Sequence, residues 1–140
     1  MTVIEHLRQY FMRFPLLQQE RLDIDCLRSV EGSYSIDSEP GTVQRTYMDG
    51  STVHQLPFTI SSRMFYSSDL QTQAENIRFF EALGTWLTAQ TQRCEMPALG
   101  DKRTARTLEV VSSAYPFIVD SDEMTARYQI QLRLIYLQEV

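Results

Sequence analysis

One hundred and forty residues with a net charge of −5, 43% hydrophobic and 22% charged, predict a single globular domain over 1–140, large enough to bury a core without staples. The acidic balance argues against a protein that tracks a nucleic-acid backbone, which needs a basic face. No apolar run reaches the length of a membrane span or a signal-peptide core, so the chain is expected to be made and kept in the cytoplasm.

Val3, Ile4, Leu7, Tyr10, Phe11 and Phe14 recur at the three-then-four spacing of one helix face, which predicts a helix over Thr2 to Arg13 that ends before Pro15. Leu16 to Gly32 is ambiguous: Leu22, Ile24 and Cys26 alternate like a short strand, while Leu27 and Val30 do not fit it. Tyr34 to Asp37 is a short strand candidate. Val43 to Met48 and Val53 to Phe65 form a hairpin pattern around Asp49-Gly50, a dipeptide suited to tight strand turns. In the second of these, Leu56, Phe58, Ile60 and Ser62 share a face, and Pro57 predicts an edge position or a bulge. His54 is expected on the polar face.

Leu70 to Gln92 is the clearest helix. Thr72 and Glu75 have the spacing of a capping box, and Ile77, Phe80, Leu83, Trp86 and Leu87 make its apolar stripe. Gly84 is expected to weaken this helix in exchange for close packing. Leu108 to Phe117 reads as a strand, preceded by the charged loop Asp101 to Arg106. The acidic turn Asp120-Ser-Asp-Glu123 leads to the strongest pattern in the chain. There Tyr128, Ile130, Leu132, Leu134 and Tyr136 alternate with Arg127, Gln129, Gln131 and Arg133. A strand of this length, roughly 40 Å at ~3.3 Å per residue, must be paired along its whole length and so implies a sheet. Together these elements predict an α+β domain: a twisted, mainly antiparallel or mixed sheet packed by an N-terminal and a central helix.

Residues with an evident chemical task are few. No glycine-rich phosphate loop is present, and His6 and His54 are the only imidazoles. Cys26 and Cys94 belong to no metal-ligand spacing and are expected as buried or half-buried free thiols. No serine or cysteine has a base beside it in sequence. The Asp120/Asp122/Glu123 turn has oxygen ligands for a hard cation but lacks the extended series of a calcium loop. The aromatic residues Phe65, Tyr66, Phe79, Phe80, Trp86, Tyr115 and Phe117 lack the basic interleaving of a base-stacking platform and are expected in the core. The expectation is therefore a non-enzymatic protein with no cofactor or metal, which works through its surfaces. Lys102 is the only lysine, and an arginine-based cationic set leans toward subunit contacts.

A set of short motifs runs in order along the chain: Tyr34-Ser-Ile-Asp37, Tyr47-Met-Asp-Gly-Ser51, Ser62-Arg63 with Tyr66, Asn76 with Phe79-Phe-Glu81, and Trp86. Pro97-Ala-Leu99, Glu109-Val-Val-Ser112 with Tyr115, and Asp122 with Thr125-Ala-Arg-Tyr-Gln-Ile-Gln131 and Arg133-Leu-Ile-Tyr136 follow. From Tyr34 to Gln138 this series resembles a family of small tailed-bacteriophage proteins, described as tail-terminator-like or minor capsid proteins, in phages and prophages of Gram-positive bacteria. The resemblance implies a virion structural protein at the head–tail junction, made in the bacterial host cytoplasm. It would form a ring, usually of six subunits, that caps the tail tube and joins it to the head-side connector. The implied partners are further copies of itself, the major tail tube protein and the connector protein. No membrane and no nucleic-acid sequence is implied, and the family has no catalytic residues to transfer. A head-completion or minor capsid role is the alternative within the virion, and a small-ligand-binding prophage protein the alternative from another class.

A ring requires one patch of each subunit to meet a different patch of the next. The opposite signs of Lys102/Arg103/Arg106 and Asp120/Asp122/Glu123 make these two loops the expected contact. Reversing the charge of Asp120 and Asp122 should then weaken assembly at low salt. Arg127 and Arg133, on the outer face of the long strand, are further candidates for a subunit or lumen surface.

Overall fold

The computed structural model describes residues 2–18, 20–27, 32–65, 70–120 and 125–140. Among these, two helices pack on one face of an open six-stranded sheet, mixed but mostly antiparallel, in an α+β arrangement.

Helix α1 covers Val3–Phe11. Thr2 caps it: its hydroxyl oxygen accepts the Glu5 amide at 3.3 Å, and the Glu5 carboxylate accepts the Thr2 amide at 3.4 Å. These bonds hold the Glu5 carboxyl below its usual pKa, the Thr2 hydroxyl contributing most. The helix ends two residues before the expected Arg13, because the next amides tighten onto carbonyls three residues back, Arg13 onto Tyr10 and Phe14 onto Phe11. Phe14 nonetheless stays buried, completing the apolar stripe with Leu7, Tyr10 and Phe11.

Strands β1 (Leu22–Ile24), β2 (Ser33–Ser38), β3 (Thr42–Thr46), β4 (Thr52–Phe65), β5 (Arg103–Asp120) and β6 (Thr125–Gln138) form the sheet. The order is β1-β2-β4-β6-β5, and β3 pairs with the remaining part of β4. Only β1 and β2 run parallel. Among its described residues the ambiguous segment contains one short strand, and the Asp49-Gly50 hairpin forms as expected, with Gly50 at φ 92.

Pro57 departs from expectation, because β4 is an interior strand flanked by β6 throughout. A proline has no amide to give a ladder. The position is tolerated because β4 changes partner there, from β2 at Phe58 to β3 at Gln55. The intervening turn supplies only the Glu39 amide, which donates to the Pro57 carbonyl at 3.1 Å.

β5 begins at Arg103, five residues before the expected start, so Arg103 and Arg106 belong to a strand and not to a loop. β5 is an outer strand, where polar side chains face water and the apolar alternation fades. Register shifts at four places along it kink the ladder with β6.

Helix α2 covers Leu70–Gln92, as its sequence pattern predicts. Phe79, Phe80, Leu83 and Leu87 are buried against the sheet, and Trp86 lies within 6.1 Å of the rings of Tyr10, Phe11 and Phe14. The side chains of Thr72 and Glu75 lie outside the described residues. Gly84 has nothing within 4 Å of where a Cβ would sit, so it does not serve close packing. Cys94 ends the helix at φ 57, with the Glu95 amide reaching back to the Gln90 carbonyl at 2.9 Å. That capping position lies on the surface, and Cys26 follows the turn at Asp25, so both thiols are exposed and not buried as expected.

The helix-facing side of β6 is the floor of the core. Tyr128, Ile130, Leu132 and Leu134 are at most 3% exposed, opposite Ser62, Ile60, Phe58 and Leu56 of β4. His54 and Tyr136 continue this same face beyond the helices, stacked at 5.1 Å and 7°. His54 is therefore on the apolar side, not the polar one.

Candidate assembly surface

The face of the sheet away from the helices is polar and well shielded. Ser33, Ser35 and Ser61 are fully buried there and Gln129 nearly so, because small side chains sit between long ones. The Arg127 guanidinium meets the Asp37 carboxylate at 3.0 Å, and Ser35 and Ser61 donate to the same carboxylate at 2.7 and 3.2 Å. Asp25, Asp37, Glu39, Arg127, Gln129 and Gln131 line an open depression of about 550 Å³ at this end. Farther along β6, Arg133 is ion-paired with Glu109 of β5.

The other end of this face is cationic and aromatic. Arg45, Tyr47 and Arg106 stand around a crevice of about 410 Å³ floored by Val53 and Ile135. Hydrogen bonding from Arg106, then from Arg45, holds the Tyr47 phenol below its ordinary pKa. The Arg45 guanidinium also lies 6.0 Å from the Tyr47 ring centroid.

The structure distributes the expected interface residues unevenly. Lys102 sits in a turn, where its ammonium donates to the Val140 carbonyl at 3.1 Å. Arg103 bonds Asp101 at 3.0 Å and its side chain is only 12% exposed. Arg106 is exposed beside Tyr47. Asp120 ends β5, opposite Thr125, and its side chain lies outside the described residues, as do Asp122 and Glu123. Lys102, just before β5, and Asp120, at its end, therefore lie at opposite ends of the sheet edge, roughly 45 Å apart at ~3.3 Å per residue of the paired β6. Within one molecule they do not meet. Arg127 and Arg133 share the open face, six residues or roughly 20 Å apart along β6, and each is held by a carboxylate of the same chain.

Sequence reasoning passes over Asp37, Arg45, Tyr47 and Glu109. Their charged partners, Arg127 for Asp37, Arg106 for Tyr47 and Arg133 for Glu109, lie on other strands distant in sequence, so no local spacing announces them. The one available signal is parity: Arg133 and Glu109 are both out of phase with the apolar positions around them. Among the described residues no group of three His, Cys, Asp or Glu side chains is placed to hold a metal ion. No described helix is long and apolar enough to cross a membrane. No protein-family model matches the chain, and comparison with curated proteins gives no significant match.

Proposed function

We propose that this protein is a tail-terminator-like structural component of a phage virion, which assembles into a ring, caps the tail tube and meets the head-side connector. The observation that carries the reading is the ordered series of motifs from Tyr34 to Gln138, ending in the 14-residue strand β6. Its supports in the fold are of two kinds. Two arginines of the open face are engaged within the chain, Arg127 with Asp37 and Arg133 with Glu109. The two outer sides of the sheet, β5 on one and β1 with β3 on the other, are different surfaces, as a closed ring of identical subunits requires.

The test is negative-stain imaging of the purified protein alone and mixed with tail tubes of its phage. Rings of uniform diameter, or density at one end only of each tube, are the expected result. A discrete dimer that leaves tube ends bare would sink the reading and favour a regulatory or ligand-binding protein.

A further inference from the structure

Among the described residues, exposed large apolar side chains include two groups at sheet edges, besides Leu16, Ile24 and Val140. Val43, Tyr47 and Met48 belong to the β3–β4 hairpin, with Met48 fully exposed, and Val110 and Val111 belong to β5. All five residues of β3 are exposed, and the strand has a neighbour only on its β4 side. On β5, the Ala98 bridge to Thr104 covers the start of the free edge. The stretch from Thr107 to Val110 is regular, bounded by register shifts on each side. Beside it runs an open groove of about 700 Å³ between β5 and α2, walled by Ile77, Phe80, Glu81, Val110 and Ile130. An unpaired strand edge next to a helix-walled apolar groove is the geometry that accepts an added strand.

We propose that copies of this chain join by sheet continuation, the β3 edge of one copy pairing antiparallel with the Thr107–Val110 edge of the next. The inference rests on the self-associating reading above and names its interface. Three independent features agree on the occupant. The first is direction: β3 opposes β4, β4 opposes β6 and β6 opposes β5, so a rotated copy that prolongs the sheet presents β3 antiparallel to β5. The second is the face each side chain takes. Val43 lies opposite His54, and Val110 opposite Leu132, so both are on the helix side. Arg45 lies opposite Val53, and Glu109 opposite Arg133, so both are on the open side.

The third is register. The irregularity between Val43 and Arg45 that fits β3 to β4 also lets Val43 oppose Val110 while Arg45 opposes Glu109. One alignment thus covers an exposed valine pair and joins opposite charges. Val43 is level with Tyr136 and Val110 with Leu132, so the alignment shifts successive copies by roughly 13 Å along the strands. A sheet closing on itself needs such a stagger. The contact is heterologous, so it closes into a ring where the rotation permits.

Paired cysteines test it. Val43→Cys and Val110→Cys are placed together in a chain carrying Cys26→Ser and Cys94→Ser, and the protein is treated with a short bis-maleimide. Both positions are exposed, so the fold is retained, and circular dichroism checks this. The double variant should give a ladder of cross-linked species, while each single variant alone stays uncoupled and a mixture of the two singles stops at a dimer. Adding Val43→Asp in place of the cysteine, with light scattering as the readout, should lower the associated fraction at least tenfold. Cross-linking of either single variant to itself, or an uncoupled double variant in solutions where light scattering finds oligomers, overturns this interface and leaves self-association standing. A monomer at every concentration, with tube ends also bare, overturns both.

Discussion

Arg127 on β6 and Asp37 on β2 form an ion pair at 3.0 Å that reaches across β4, with the Ser61 hydroxyl of β4 within 3.4 Å of both. The pair is about a quarter exposed, so water screens part of its attraction. Replacing Asp37 by Asn keeps the shape but removes the charge that three donors address. The variant should lose about 1–2 kcal/mol in urea unfolding. A double-mutant cycle with Arg127→Gln should return a coupling of about 1 kcal/mol, and a value under about 0.3 kcal/mol would mean that the pair contributes nothing.

Gly84 gives a prediction of opposite sign. It sits inside α2 with open space around its missing side chain, and glycine costs a helix about 1 kcal/mol relative to alanine. Gly84→Ala should therefore stabilise the protein, raising the thermal midpoint by about 3–6 °C. A lowered midpoint would show that the groove beside Gly84 is narrower than described.

Tyr47 should ionise before Tyr10 and Tyr136. The guanidiniums of Arg106 and Arg45 lower the Tyr47 pKa, whereas burial raises those of Tyr10 and Tyr136. Alkaline titration followed in the ultraviolet should lose, in Tyr47→Phe, a phenol that ionises before Tyr10 and Tyr136. A depressed acid pKa stabilises only above the unfolded value, near pH ~10 for a phenol, and the contribution is gone once pH falls through the folded value. Tyr47→Phe should thus leave stability at pH 7 unchanged and reduce it only in alkali.

Both thiols should react in the folded state. Cys26 and Cys94 are exposed, so a chromogenic disulfide reagent should titrate two equivalents without denaturant. One or none would place a cysteine inside.

The parts of the fold that could be read in advance are those governed by local periodicity. The α2 stripe, the Asp49-Gly50 turn and the alternation of β6 each repeat a spacing over many residues, and the helices and strands appear where that spacing puts them. Failures came where a distant neighbour decides. Pro57 sits in an interior strand because two short strands share one side of β4. Arg103 and Arg106 became strand residues because an outer strand tolerates polar side chains on a water-facing edge. Cys94 is exposed because a helix-capping conformation claimed it. Of the candidate surface, the cations were visible as a group, but not that Arg103, Arg127 and Arg133 are each engaged by a carboxylate of the same chain.

The position of β6 between β4 and β5 also sets the order in which the protein can be completed. β4 pairs with it from Thr52↔Gln138 to Phe65↔Thr125, and β5 pairs with it along nearly its whole length. β6 follows both in the chain, so a nascent polypeptide emerging from the ribosome holds β4 open on the side away from β2 and β3, and β5 without its ladder, until β6 is free of the exit tunnel. Contacts that span such sequence distances are slow to form and leave strand edges open in the interval. The protein is therefore most exposed to misassembly before β6 has been synthesised, and an early stop within β6 should yield aggregates in place of a smaller folded domain.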